Sequence, residues 1–196
     1  MKKLNLNEAP KTVAFAFGRF NPPTIGHEKL LDKVKSVRAD DYLIFVSHSQ
    51  NPKGDPLPYV KKVAWMKKSF PKHKNFIVTT KSRNIFEILV DIQKQYNPIG
   101  APLESLIMVA GSDRVAEFKK LVNTYNGVKA RHGFYEFKNI EVISAGERDP
   151  DAEGVAGMSA SKMRAAAEDS DFDSFKLGTP LKDTDAKKLY FDVRKS

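Results

Sequence analysis

The chain predicts an α/β fold: an open parallel sheet of five strands with helices on both faces and a helical tail at the C-terminal end. Three observations carry this. Apolar runs alternate with segments of helical period across roughly the first 145 of the 196 residues. The intervening helical segments are ten to fifteen residues long, the length of a crossover between parallel strands. The runs at 12–17, 42–47 and 105–110 are apolar at nearly every position, as in strands covered on both faces.

In chain order, the first strand is expected over 12–17 and its helix over 26–37, where Leu30, Leu31, Val34 and Val37 share one stripe opposite lysines. A second strand at 42–47 leads to a helix at 59–70. The third pair is a strand at 75–80 and a helix at 83–95. That helix leaves little polar face, with Ile85, Phe86, Ile88, Leu89, Val90 and Ile92 all apolar. A fourth strand at 105–110 feeds a helix at 113–125, and a fifth strand spans 140–144. Residues 146–157 are polar, glycine-rich and unpatterned, and are read as a mobile loop that closes over substrate. A helix at 159–167, a turn at Gly178-Thr179-Pro180 and a last helix at 185–194 complete a single domain, 1–196.

Composition narrows the function classes. There is no cysteine, which removes disulfides, zinc–thiolate sites and cysteine nucleophiles. No apolar run has the length of a signal peptide or a membrane span, so a cytoplasmic protein with no membrane partner is expected. Thirty-three Lys and Arg against 24 Asp and Glu give a formal charge of +9, which favours anionic partners. The lysines are scattered along helices without interleaved aromatics, so nucleotides and phosphorylated metabolites fit better than nucleic acid.

The chemistry concentrates in Gly18-Arg19-Phe20-Asn21-Pro22-Pro23-Thr24-Ile25-Gly26-His27, at the carboxyl end of the first strand. Ligands of open parallel sheets lie at that edge. Two prolines set a rigid turn, Gly26 lets a ligand approach the backbone, and the N–H groups of a helix start attract phosphate. Thr24 adds a hydroxyl and a helix cap. His27, kept neutral by the helix terminus, has an N–H to donate to a phosphoryl oxygen. Far along the chain, Met158-Ser159-Ala160-Ser161-Lys162-Met163-Arg164 opens a second helix with two hydroxyls, free N–H groups and two cations, a polyphosphate clamp. The Ser-x-x-Lys pattern inside it lacks the Lys-Thr-Gly and Ser-Asp-Asn partners of β-lactamases. Gly111-Ser112-Asp113 follows the fourth strand, and Ser47-His48-Ser49 follows the second, at the same rim. Trp65 lies among Val60, Val63 and Ala64 and reads as packing.

The first segment resembles the signature of the HxGH superfamily of nucleotidyltransferases, with threonine in place of the first histidine. Its wording is most similar to G-[RST]-F-N-P-P-T-x-G-H of the nicotinamide-mononucleotide (NMN) adenylyltransferases. Phosphopantetheine adenylyltransferases usually read G-T-F-D-P-x-T-x-G-H, and cytidylyltransferases G-T-F-D-x-x-H-x-G-H. The 158–164 segment resembles the family's I-S-S-T-x-x-R, departing at Met158, Ala160 and Ser161. Gly111, Asp113 and Phe118 resemble its G-x-D-x-x-x-x-[FW] element. The tail beyond Asp171 is similar to that of small nucleotidyltransferase-like proteins of large tailed phages, which would place the chain in a host cytoplasm.

The resemblance implies a Rossmann-like core at 12–145, followed by a phosphate-clamp helix and tail at 158–196. It implies transfer of AMP from ATP to NMN or nicotinate mononucleotide with release of pyrophosphate. Mg²⁺ would enter on the triphosphate rather than on a protein cage. His27, Thr24 and Arg164 would be catalytic. Gly18, Arg19, Phe20, Asn21, Gly26, Gly111, Asp113, Ser159, Ser161 and Lys162 would bind nucleotide, while Ser47, His48, Lys53 and Tyr59 would line the acceptor site. An acceptor phosphate is already anionic at neutral pH, so no general base is needed. Two readings stand beside this one: a cytidylyltransferase or phosphopantetheine-type adenylyltransferase, and a non-catalytic nucleotide- or nucleic-acid-binding module. A homo-oligomer is compatible with all three.

Overall fold

The computed structural model describes residues 11–96, 103–146 and 158–195. Of the loop expected at 146–157, all but its first residue falls outside them, so its role as a lid stays an expectation. The five strands are β1 (Thr12–Gly18), β2 (Asp41–Val46), β3 (Ile77–Val78), β4 (Ser105–Ala110) and β5 (Ile140–Ser144). The helices are α1 (Ile25–Ser36), α2 (Tyr59–Ser69), α3 (Ile85–Tyr96), α4 (Val115–Thr124), α5 (Ala160–Glu168), α6 (Phe172–Leu177) and α7 (Asp183–Arg194). All ladders are parallel and the strand order is β3-β2-β1-β4-β5. The Rossmann-like α/β fold expected from the alternation is therefore present, and the order reverses between β1 and β4. A crevice opens there, outside the carboxyl ends of the strands.

The two faces of β1 carry different residues for a packing reason. Val13 and Phe15 join the side covered by α3 and α4, where Ile88, Leu89, Ile92 and Val122 are buried. Ala14 and Ala16 face the other way, leaving room for Leu31 and Val34 of α1 and Met66 of α2. Each fully buried Phe, Leu or Ile of this kind contributes roughly 1.5–3 kcal/mol. A third cluster lies outside the sheet: Met163, Phe175, Leu189, Tyr190 and Val193 of the tail close on Leu57 and on Trp65 of α2. Trp65 is thus a packing residue, its Nε1 donating to Asp192 at 2.9 Å.

Three elements depart most from the sequence reading. The strand expected at 75–80 shrinks to two residues, because Thr80 spends its backbone elsewhere. Its N–H donates to the Tyr59 hydroxyl at 2.9 Å, and its carbonyl lies 2.9 Å from His48 Nε2. The helix expected from 113 begins as a 3₁₀ turn, Ser112–Arg114, closed by the Arg114 N–H on the Gly111 carbonyl. Helix α6 has no counterpart in the sequence pattern; Asp171 caps it by accepting from the Ser174 N–H at 2.9 Å, and six residues are too few to show a period. Between α4 and β5, Asn126 pins the returning chain, exchanging two hydrogen bonds with the backbone of Phe137 at 2.9 and 3.0 Å.

Candidate active site

The segment between β1 and α1 is shaped by tight packing. The Phe20 ring folds over Gly18 so closely that a Cβ there would lie 2.9 Å from it. Phe20 itself takes a left-handed backbone, φ 48°, an uncommon state for a bulky residue that its complete burial holds in place. Asn21 is buried and behaves as a detached peptide unit. Its Oδ1 accepts from the Leu57 N–H at 3.0 Å and its Nδ2 donates to the Leu57 carbonyl at 3.2 Å. The motif loop is thereby stitched to the loop after β2.

His27 is the third residue of α1, and its ring turns back on the cap. Nδ1 accepts from the Thr24 N–H at 2.9 Å and lies 3.0 Å from Thr24 Oγ1. Because Nδ1 is an acceptor, the proton of the neutral imidazole sits on Nε2. The Phe20 ring meets the imidazole edge-on, centroids 4.9 Å apart, and fixes its plane. Thr24 is fully buried. Of the first N–H groups of α1, that of Ile25 donates to the Gly178 carbonyl and that of His27 to the Thr24 carbonyl, both at 2.9 Å. The Gly26 N–H has no protein acceptor among the described residues. The Ile25 and His27 N–H groups are thus spent within the protein, so the helix start offers fewer free donors than the sequence pattern allows.

Arg164 of α5 reaches this loop. Its Nη1 donates to the Asn21 carbonyl at 2.7 Å, across 143 positions of chain, and Nη2 donates to Ser161 Oγ at 3.2 Å. Burial lowers the pKa of its guanidinium, with Arg19 adding to the effect and Asp55 and Glu168 opposing it. It stays charged at any biological pH. Ser159 Oγ caps α5 by accepting from the Lys162 N–H, while the Lys162 side chain is exposed. Gly111 and Asp113 lie past β4, the strand beside β1, and the Asp113 carboxylate folds directly over Gly111. The structure therefore brings Arg19, Asn21, Gly26, His27, Ser161 and Arg164 around one loop, with Gly111 and Asp113 across the crevice.

The residues expected to line an acceptor site lie in the loop after β2 and at the start of α2. His48 stacks on Tyr59 at 3.6 Å, and both are tied to the Thr80 backbone. Ser47 is buried against Ser49. Lys53 is exposed in the turn closed by Asn51 and Asp55.

A polar group that sequence reading did not single out lies beneath that turn. Lys62 is fully buried, and its Nζ donates to the Ser49 carbonyl at 2.7 Å. Burial pushes its pKa down to about 8, with Asp55 opposing the effect and Arg19 adding to it. Asp55 is itself buried, with Oδ1 unbonded and 4.0 Å from the Arg19 guanidinium. No local signal marks this group, since Lys62 sits in a lysine-rich helix and Asp55 in a proline-rich turn.

Comparison with known proteins agrees with the geometry. No curated protein matches the chain by sequence. Solved structures that share the fold include two of nicotinic acid mononucleotide adenylyltransferase from Plasmodium falciparum, one complexed with NaAD and one with APC. The first has a TM-score of 0.59 at 14% identity, covering 92% of this chain and 95% of that one. The second has a TM-score of 0.57 at 14% identity, covering 92% and 98%. The cytidylyltransferase-like family profile matches residues 15–166, which spans both motif segments, and this chain belongs to that family.

Proposed function

We propose that the protein is an adenylyltransferase that moves AMP from ATP to the phosphate of nicotinamide or nicotinate mononucleotide and releases pyrophosphate. The observation that carries the reading is the Arg164–Asn21 bond, which seats the α5 clamp on the motif loop holding His27. A phosphate monoester is its own nucleophile at neutral pH, so catalysis reduces to alignment and charge stabilisation. His27 Nε2–H and the Gly26 N–H donate to the α-phosphoryl oxygens as charge builds there. Thr24 acts through His27, fixing its tautomer and ring plane. Arg164, Lys162 and the Ser159 and Ser161 hydroxyls hold the β- and γ-phosphates as they leave. Arg19, beside them, adds a further cation, and Gly111 and Asp113 face the nucleoside. Mg²⁺ arrives as part of the triphosphate substrate, held by phosphate and water. The wording Asn-Pro-Pro-Thr-x-Gly-His favours a mononucleotide acceptor over phosphopantetheine or a cytidylyl acceptor.

The test is a panel: ATP or CTP with NMN, nicotinate mononucleotide, phosphopantetheine or glycerol phosphate, reading pyrophosphate release. ATP with either pyridine mononucleotide is expected to give the fastest turnover. Turnover with CTP or with another acceptor alone would overturn the assignment, and no release from any pair would overturn the enzyme reading.

A further inference from the structure

A cavity of about 260 Å³ opens between the turn after β2, helix α5 and helix α7. Cations from three separate elements line it: Lys53, Arg164 and Arg194. None of the three makes an ion pair among the described residues. Two of them are held in place by neutral partners. Arg164 bonds the Asn21 carbonyl and Ser161. Arg194 donates to Ser170 Oγ at 2.9 Å and to the Tyr190 hydroxyl at 3.3 Å, with donors to spare. Glu168 is the only acidic side chain in the lining. The remaining wall is apolar, from Pro52, Pro56 and Val193.

We propose that this cavity binds a compact phosphate-bearing anion, its phosphate taken by Lys53 and Arg194 beside Arg164, which it shares with the triphosphate clamp, and its organic part laid on the proline and valine wall. Three converging cations outside any ion pair, against the one carboxylate of Glu168, make a positive hollow that an anion fills at little cost in broken pairs. The volume falls just under the usual range for drug-sized ligands, so the occupant is smaller than a dinucleotide. The site adjoins the proposed triphosphate clamp through Arg164, and half of its lining lies outside the family match. Glu168, Val193 and Arg194 lie beyond the matched region, which ends at residue 166. Binding here does not depend on the adenylyl-transfer reading.

The experiment is a titration of ¹⁵N-labelled protein with inorganic phosphate and, separately, with glycerol phosphate, both with a saturating non-hydrolysable ATP analogue present. Amide shifts are expected at Lys53, Ala167, Glu168 and Arg194. Arg194→Glu should weaken the affinity about tenfold or more, the scale of one lost charged hydrogen bond. Glu168→Gln should tighten it, which keeps the test alive should the first variant lose its fold. Tighter binding of glycerol phosphate would support an ester as the occupant, and equal binding would support the free ion. Shifts confined to Gly26, His27 and 159–162, or unchanged affinity in both variants, would overturn the proposal. A protein inactive in pyrophosphate release would leave these shifts untouched.

Discussion

At His27, Nδ1 accepts from the Thr24 N–H, which leaves the proton of the neutral ring on Nε2, the group that the proposed reaction would use. His27→Ala is therefore expected to keep the fold and lower kcat by roughly 10²–10³-fold, the scale of one lost transition-state donor. Steady-state turnover beside a thermal melt checks this, and near-normal kcat removes His27 from the chemistry. Lys62 makes a different prediction. A free lysine titrates near ~10.4, whereas burial brings this one to about 8. Between those values the unfolded chain binds more protons than the folded one, so this residue's contribution makes stability rise with pH. The urea midpoint of the wild type should gain on that of Lys62→Met from pH 8 to pH 10; a constant difference would show that the ammonium is solvated. His27, Thr24 and Asn21 are legible in the sequence because they belong to one short continuous segment. Lys62 and Asp55 are not, because their environment is made by contacts between a helix and a turn with ordinary composition.

Among the elements, α1 is tied to the tail as well as packed on the sheet. The Gly178 carbonyl takes the Ile25 N–H at 2.9 Å, and Gly178 lies so close to α5 that a Cβ would meet the Met163 side chain at 2.6 Å. Gly178→Ala should cost about 1–3 kcal/mol through overpacking. Because the displaced carbonyl caps the helix that carries His27, kcat should fall with stability. Equilibrium urea unfolding and turnover on one preparation test the coupling, and a variant with lowered stability but unchanged kcat would separate tail from site. The strands and long helices are readable from period alone. The two-residue β3 is overread by the same criterion, since nothing local says that Thr80 gives its backbone to Tyr59 and His48. Helix α6 escapes it for the opposite reason: its cap, Asp171, is visible in sequence, but its six residues are too short to show a stripe.

Over the whole molecule, some of the lysines behind the formal charge of +9 have structural partners, although pairing leaves the net excess unchanged. Lys61 and Lys68 of α2 pair with Asp192 and Asp185 of α7, each at 2.6 Å, and Lys72 bridges Glu28 and Asp32 of α1 at 3.0 Å. These three lysines thus fasten α2 and the turn after it to α7 and α1. Folding also joins what the sequence keeps far apart: the motif loop, the turn after β2 and the clamp helix meet at Asn21. That residue has a sister in Asn126, since each side-chain amide exchanges two hydrogen bonds with a remote backbone unit. The two differ in their C-terminal neighbours, proline at 22 and glycine at 127. Spontaneous deamidation needs the next residue's backbone nitrogen to attack the side-chain carbonyl, and proline has no N–H for that ring closure. Prolonged incubation at mildly alkaline pH, followed by peptide mass mapping, should show conversion at Asn126 and none at Asn21. The junction at Asn21 is thus closed to this reaction by its proline neighbour, and such ageing is expected to begin away from the candidate site, in the turn after α4.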